Sequence, residues 1–316
     1  MLKHAFVWWC LTQQGLSDTA ILDAGQQAGF EGVEMAPEHL WREIQTRGLT
    51  MVSTQAHGSI ESGMNDPKQH NRIISETCAM LEKAVKWNIP TLICFSGNRG
   101  QTTDREAIKQ INEVLFKVAS LAEQAKVTIV LELLNSRVDH PDYHCDRTEF
   151  GIACVEPIRS ERIKLLYDAY HMQIMEGDLI RTIRTHHKYF GHYHIAGNPG
   201  RNDPDGTQEI HHPAVMQAIA DTGFTGFVGH EYIPSGPIPA ALKASRTLLN
   251  VVPSVKATIE RSIRPGALDP LPATAAASTD PVVVAPVDSV PLSEYREVLA
   301  KSAVLRRALE LAREGL

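Results

Sequence analysis

Four polar residues, each at the end of a short apolar run, carry most of the chemical information in the sequence. They are Glu132, Asp168, His194 and Glu231, in the segments TIVLELL, IKLLYDAY, YFGHYHIA and FVGHEYI. Three carboxylates and one imidazole suit a divalent cation such as Mn²⁺, Mg²⁺ or Co²⁺, and the single imidazole without thiolates gives Zn²⁺ less advantage. Each residue alone could be a helix N-cap or a buried core group. Four of them after consecutive apolar runs predict one shared site.

The chemistry open to such a set is proton transfer beside a carbonyl group. When a carbonyl oxygen and the neighbouring hydroxyl oxygen bind the same cation, the C–H between them becomes more acidic. Two carboxylates on opposite sides of that carbon could then remove and return a proton. This is the chemical requirement of an aldose–ketose isomerase or an epimerase that acts on a small hydroxy-carbonyl compound.

The elements that must position these residues alternate along residues 1–252. Short β-like runs are followed by amphipathic helical segments, the longest at 67–87 and 104–125. Eight such units indicate an α/β fold of the (β/α)8 TIM barrel type. A doubly wound sheet is the alternative, but it uses fewer strands, and no GxGxxG follows the first predicted strand, HAFVWW. In a barrel the carboxyl ends of all strands meet at one rim, so the four polar residues would converge there.

The remaining sequence has a different composition. Residues 253–291 are rich in Pro, Ala, Ser and Thr, which predicts a linker. Residues 292–316 have apolar residues at helical spacing, which predicts an amphipathic helix. We expect this C-terminal helix to dock on the catalytic barrel of residues 1–252 or on a second subunit of a homo-oligomer.

Composition and charge restrict the classes of partner. The net charge of −6 and the isoelectric point near 6.2 argue against nucleic acid as a partner. The apolar stretch at the N-terminus is too short for a membrane span and has no small-residue cleavage site. Five dispersed cysteines without CxxC spacing indicate reduced thiols. The sequence therefore predicts a cytoplasmic protein with no membrane partner and a small-molecule hydroxy-carbonyl substrate.

Several motifs in the second half resemble the hydroxypyruvate isomerase family. They are YDAYHMQIMEGDL, GHYHIAGNPGRNDP, GTQEI and GHEYIP. That family is part of the xylose-isomerase-like barrels, which also include ketose 3-epimerases, inosose-processing enzymes and apurinic endonucleases. The resemblance covers residues 1–252. It implies that Glu132, Asp168, His194 and Glu231 bind one divalent metal ion, and that Glu132 and Glu231 also transfer the proton.

The same resemblance extends the site toward the substrate. It implies that His171, three residues after Asp168, binds a substrate oxygen, and that Arg201 anchors an anionic or hydroxyl group. One departure concerns His194, because hydroxypyruvate isomerases typically have Gln there, whereas ketose 3-epimerases have His. The departure leaves the substrate open and favours Mn²⁺ or Co²⁺ over Mg²⁺, since imidazole is the softer ligand.

Other candidate residues flank this set. We interpret His57, in QAHGS after the third predicted strand, as a substrate-pocket residue, with a structural role as the alternative. The multi-metal cluster of the endonuclease branch would need a histidine after the fourth strand, where Ser96 stands. Trp8 and Trp9 lie at the end of the first predicted strand, and one of them is expected to face the barrel mouth as an aromatic wall, with core packing as the alternative.

Two loops near the predicted rim carry further polar or glycine residues. His140 and His144, in HPDYHC, are expected to be solvated loop residues, with a lid as the alternative. Gly197, Gly200 and Gly206 follow the seventh strand. Their flexibility suits closure of that loop over a bound substrate.

Two other functional classes remain open from the sequence. A lyase or dehydratase could use the same metal barrel on an inosose or glycoside-type substrate, because an enediolate can also expel a β-leaving group. A non-catalytic binding or scaffold protein could have the same fold.

Overall fold

Eight parallel strands close into a barrel in the computed structural model of the protein, which describes residues 2–251 and 254. The strands are β1 (Lys3–Val7), β2 (Gly32–Glu34), β3 (Thr50–Gln55), β4 (Thr91–Cys94), β5 (Thr128–Glu132), β6 (Ile163–Asp168), β7 (Phe190–Ile195) and β8 (Phe227–His230). Each strand pairs with the next, and β1 pairs with β8, with His4 opposite Val228. The predicted TIM barrel is confirmed, and the closure excludes a doubly wound open sheet.

Helices follow the strands around the outside of the barrel. They are α1 (Asp18–Ala28), α2 (Trp41–Thr46), α3 (His70–Trp87), α4 (Asp104–Ala125), α5 (Thr148–Val155), α6 (Ala169–Met175), α7 (Leu179–His186), α8 (His212–Asp221) and α9 (Ile238–Leu248). The predicted linker at 253–291, residue 254 apart, and the predicted helix at 292–316 lie outside the described residues. No helix within residues 2–251 is long and apolar enough to cross a membrane.

Helix α4 has the bounds expected from the sequence because both of its ends carry strong local signals. Thr103 and Glu106 form a capping box, in which each side chain accepts a hydrogen bond from the backbone N–H of the other residue. The helix ends at Ala125, and the C-cap residue Lys126 has left-handed backbone dihedrals. Its apolar face packs against α3 and α5. Helix α3 starts after a 3₁₀ turn at Pro67–Gln69, so the predicted helix at 67–87 has an irregular first turn.

Two predicted strands end earlier than the sequence suggests. The run HAFVWW was predicted as one strand, but the strand stops at Val7, and Trp8–Gln14 forms a 3₁₀ helix that ends at Gly15. The run IKLLYDAY stops being a strand at Asp168, and α6 begins at the next residue. In both places aromatic residues favour a strand locally, but the chain must turn at the rim to begin the next helix.

Candidate active site

The carboxyl ends of β5, β6, β7 and β8 bring the four predicted metal ligands together. Glu132 and Asp168 are the last residues of their strands, His194 is the penultimate residue of β7, and Glu231 directly follows β8. One ligand atom from each residue lies within 4.8 Å of the others. All four side chains are buried. The cluster is therefore compact enough for a single ion.

The hydrogen bonds of the cluster centre on Glu231. His194 Nδ1 lies 3.0 Å from Glu231 Oε2 and 3.5 Å from Glu132 Oε1. Arg201 Nη2 donates to Glu231 Oε2 at 2.7 Å. With His194 neutral, three carboxylates and one guanidinium leave two negative charges uncompensated in a buried site. A divalent cation matches that charge.

Asp168 shows most directly that the donor set fits a metal ion. Its Oδ1 accepts hydrogen bonds from the backbone N–H groups of Tyr170 and His171, so it caps α6. Its Oδ2 is buried and has no hydrogen-bond partner among residues 2–251. Burial, and next the charge of Glu231, raise the pKa of Asp168 to about 7. One carboxylate oxygen of Asp168 thus caps α6, while the other oxygen remains available as a metal ligand.

The other ionisable groups of the cluster are mutually perturbed. Burial raises the pKa of Glu132, and the charge of Glu231 adds to the rise. Burial acts in the same direction on Glu231, but Arg201 and His194 outweigh it and hold the pKa of Glu231 well below its usual range. Burial disfavours the charged form of His194, yet Glu231 and Glu34 raise its pKa well above the usual value. Without a metal ion, the imidazole supplies part of the missing positive charge.

His171 is oriented as a hydrogen-bond donor toward the cluster. Its Nδ1 accepts the backbone N–H of Asn135 at 3.2 Å, so the proton of the neutral ring must be on Nε2. Burial lowers the pKa of His171 well below the usual value and keeps the ring neutral. Nε2 has no hydrogen-bond partner in the described part of the chain and lies 3.6 Å from Asp168 Oδ2. An N–H donor is therefore available beside the proposed metal ligands.

Arg201 is held in place by two aromatic rings. Its guanidinium carbon lies 5.3 Å from the centre of the Trp9 ring and 5.4 Å from that of Tyr170. The indole Nε1 of Trp9 also donates to Glu231 Oε1 at 3.1 Å. Trp9 therefore contacts both the guanidinium and the carboxylate. Trp8, by contrast, is part of the core.

A cavity of about 610 Å³ opens beside the cluster. Its lining includes the polar residues Glu132, His140, Arg201 and Glu231. The rest of the lining is mainly apolar and includes a set that we call the apolar wall, Met35, Ala36, Pro37, Trp41, Ile60, Met80, Phe95 and Leu134. The cavity therefore offers a ligand both charged side chains and an apolar surface.

The other three candidate histidines, His57, His140 and His144, lie in different environments. His57 is not among the cavity-lining residues, and its Nε2 accepts the backbone N–H of Phe95, which does line the cavity. The expectation that His144 is solvated is wrong, because the ring is fully buried between Asn65 and Asp104. His140 is half-buried and lines the cavity.

Sequence reasoning gave no role to Glu34, the last residue of β2. Its carboxylate is fully buried, and Oε2 lies 3.1 Å from Nε2 of His194. Glu34, His192 and His194 form a second group of potential ligand atoms within 4.8 Å of one another. The available signal was an acid at the end of the apolar run GVE, the same pattern that identified the other carboxylates.

Comparisons with known proteins support the family assignment. The sequence profile of the xylose isomerase-like TIM barrel family matches residues 22–250. A human protein named "Putative hydroxypyruvate isomerase" is 31% identical over 234 residues, which cover 67% of this chain and 83% of the human protein. A 2-oxo-tetronate isomerase of Pectobacterium atrosepticum is 28% identical over 236 residues, which cover 70% of this chain and 89% of that protein.

Solved structures share the fold. An AP endonuclease of family 2 from Brucella melitensis superposes with a TM-score of 0.68 at 24% identity, over 77% of this chain and 97% of that one. D-psicose 3-epimerase from Clostridium cellulolyticum H10 superposes with a TM-score of 0.64 at 20% identity, over 79% of this chain and 100% of that one. The profile match and the human relative together establish that the chain belongs to the xylose isomerase-like TIM barrel family, among the hydroxypyruvate isomerase-like enzymes.

Proposed function

We propose that this protein is a metal-dependent isomerase or epimerase of a small hydroxy-carbonyl compound. The observation that carries the proposal is the buried cluster of three carboxylates and one imidazole, Glu132, Asp168, His194 and Glu231, with an oxygen on Asp168 that has no hydrogen-bond partner among residues 2–251. Relatives named as hydroxypyruvate and 2-oxo-tetronate isomerases support the reaction class. The four residues would hold one Mn²⁺, Mg²⁺ or Co²⁺ ion. When bound, the ion polarises the substrate carbonyl and offsets negative charge that develops on its oxygen.

In this proposal Glu132 and Glu231 exchange a proton with the substrate carbon. Both carboxylates line the cavity, and both contact Nδ1 of His194. Trp9 and Arg201 fix the orientation of Glu231 through hydrogen bonds to Oε1 and Oε2. One carboxylate removes the α-proton, and a proton returns to the adjacent carbon in an isomerisation or to the opposite face in an epimerisation.

His171 and Arg201 act on the substrate oxygens. The Nε2–H of His171 is available to donate to the oxygen that becomes negatively charged as the proton leaves. The guanidinium of Arg201 lines the cavity and can bind a carboxylate or hydroxyl group of the substrate. The chain would thus supply acid–base groups that act on the substrate carbon and hydrogen-bond donors that act on the substrate oxygens.

The size of the cavity favours a substrate larger than hydroxypyruvate. Pockets of roughly 300–1,000 Å³ hold drug-sized ligands, and the cavity of about 610 Å³ lies within that range. A three-carbon acid would fill only a small part of it. We therefore favour a keto-sugar or sugar-acid substrate whose remaining atoms extend along the apolar wall.

The test is turnover of short keto acids, ketoses and inososes in deuterated water. The full chain is stripped of metal, reloaded with Mn²⁺, Mg²⁺ or Co²⁺, and assayed by mass spectrometry and proton NMR. We expect metal-dependent product of unchanged skeleton that carries deuterium from solvent, and loss of turnover in Glu132→Gln and Glu231→Gln. A product lighter by a leaving group would assign a lyase instead. Turnover unaffected by metal removal would refute the proposal.

A further inference from the structure

We propose that Glu34 is a positioning residue that orients His194 for metal binding. In this role the carboxylate of Glu34 accepts the Nε2–H of His194 and so directs Nδ1 of the same ring toward the carboxylate cluster. The inference rests on the proposed function, because it concerns how the chain prepares a ligand for the metal ion.

The two ring nitrogens of His194 point to different partners. Nε2 lies 3.1 Å from Glu34 Oε2, and Nδ1 lies 3.0 Å from Glu231 Oε2. The imidazole therefore connects Glu34, the last residue of β2, with Glu231, which directly follows β8. Since a metal-bound imidazole must offer a lone pair from one nitrogen, the proton belongs on the nitrogen that faces Glu34.

Glu34 is itself held by two further side chains. Ser53 Oγ donates to Glu34 Oε2 at 2.5 Å, and His192 Nε2 lies 2.8 Å from the same oxygen. All of these side chains are buried and come from three different strands, β2, β3 and β7. A carboxylate restrained in this way has little freedom to leave the His194 ring.

Strand β8 leaves space for this contact. A Cβ atom at Gly229 would lie 2.4 Å from Glu34 Oε1 and 2.7 Å from His194 Cδ2. Any side chain at this position would force the carboxylate or the imidazole to move. The backbone at Gly229 thus packs directly on the Glu34–His194 pair.

A carboxylate that accepts the second N–H of a ligating histidine fixes its tautomer and makes the other nitrogen more basic. Loss of such partners typically costs 10- to 100-fold in metal affinity. A competing arrangement exists, because Glu34, His192 and His194 have ligand atoms within 4.8 Å of one another and could bind a second ion. The number of ions bound per chain distinguishes a positioning role of Glu34 from a role as a metal ligand.

The experiment compares Mn²⁺ and Co²⁺ binding to the full chain by calorimetry in wild type, Glu34→Gln and Ser53→Ala. Glu34→Gln keeps the volume but removes the charge, and we expect roughly 10- to 100-fold weaker binding with the stoichiometry still one. Ser53→Ala removes one donor to Glu34 and should weaken binding in the same direction but less, which keeps the test valid if Glu34→Gln does not fold. Ser245→Ala is the matched control, since this buried hydroxyl contacts His230 and Tyr232 instead.

A second readout reports the tautomer itself. In ¹⁵N-histidine NMR spectra of the Mg²⁺-loaded protein, assigned with His194→Gln, we expect His194 to be protonated at Nε2. Unchanged affinity in folded Glu34→Gln and Ser53→Ala, or a proton on Nδ1, would overturn the inference. Two ions in wild type and one in Glu34→Gln would assign Glu34 as a ligand and overturn it as well. A wild type that binds no ion would instead refute the proposed function on which the inference rests.

Discussion

Removal of the indole N–H of Trp9 isolates its hydrogen bond to Glu231. In Trp9→Phe the aromatic face beside Arg201 remains, while the 3.1 Å contact from Nε1 to Glu231 Oε1 is lost. A hydrogen bond to a charged group contributes about 1.5–3 kcal/mol. Trp9 is 37% exposed, so water can partly replace the bond, and we expect the lower end of that range.

A loss of about 1.5 kcal/mol in transition-state stabilisation corresponds to roughly a tenfold decrease in rate. We therefore expect kcat/KM of Trp9→Phe to fall about tenfold, with the stoichiometry of metal binding unchanged. Trp87→Phe is the matched control, because the buried Nε1 of Trp87 has no hydrogen-bond partner within the described chain. Steady-state kinetics at saturating metal measures the effect. Wild-type kcat/KM in Trp9→Phe would refute the view that this bond positions Glu231.

Four further predictions concern the cluster and its support. Because the pKa of Asp168 is raised to about 7 by burial and Glu231, and the ion binds the ionised form, metal affinity measured by calorimetry should fall at least tenfold from pH 8 to pH 6, and the proton that His194 must also release adds to the decrease; equal affinities would contradict this. The raised pKa of Asp168 also affects the stability of the metal-free protein. As pH rises from about 4 to 7, the unfolded chain loses the Asp168 proton before the folded protein does, so the contribution of Asp168 to the free energy of unfolding should fall. His171→Asn, whose amide is too short to replace Nε2–H, should lower kcat by about 100-fold with metal content unchanged, and an unchanged kcat would remove His171 from the mechanism. Gly229→Ala should lower the free energy of unfolding by about 1–3 kcal/mol in urea titrations, and a wild-type value would contradict the close packing at this glycine.

The fold and the four central residues were predictable because their signals are local. Each strand is a short apolar run, and Glu132, Asp168, His194 and Glu231 each lie at or directly after the end of one. Parallel closure of the barrel then brings those ends together. The start of helix α4 at Asp104 was predictable for the same reason, since Thr103 and Glu106 form a local capping signal.

What the sequence could not predict depends on contacts between distant segments. Glu34 and His194 are 160 positions apart in the sequence. Only the register around the closed barrel brings the carboxylate of Glu34 next to the ring of His194. Burial of His144 likewise depends on Asn65 and Asp104, which belong to other strand–helix units. The apolar wall of the cavity is built from several loops and helices, so its size could not be read from any one motif.

The central claim is that one divalent cation binds to the cluster of Glu132, Asp168, His194 and Glu231. The most direct measurement is the metal content of the full-length chain after equilibration with Mn²⁺ and removal of free ion, in wild type and in Asp168→Asn. Asp168→Asn keeps the shape of the side chain but removes the unpartnered negative oxygen. We expect one ion per wild-type chain and a large loss of bound metal in Asp168→Asn. No bound ion in wild type, or equal metal content in both proteins, would contradict it.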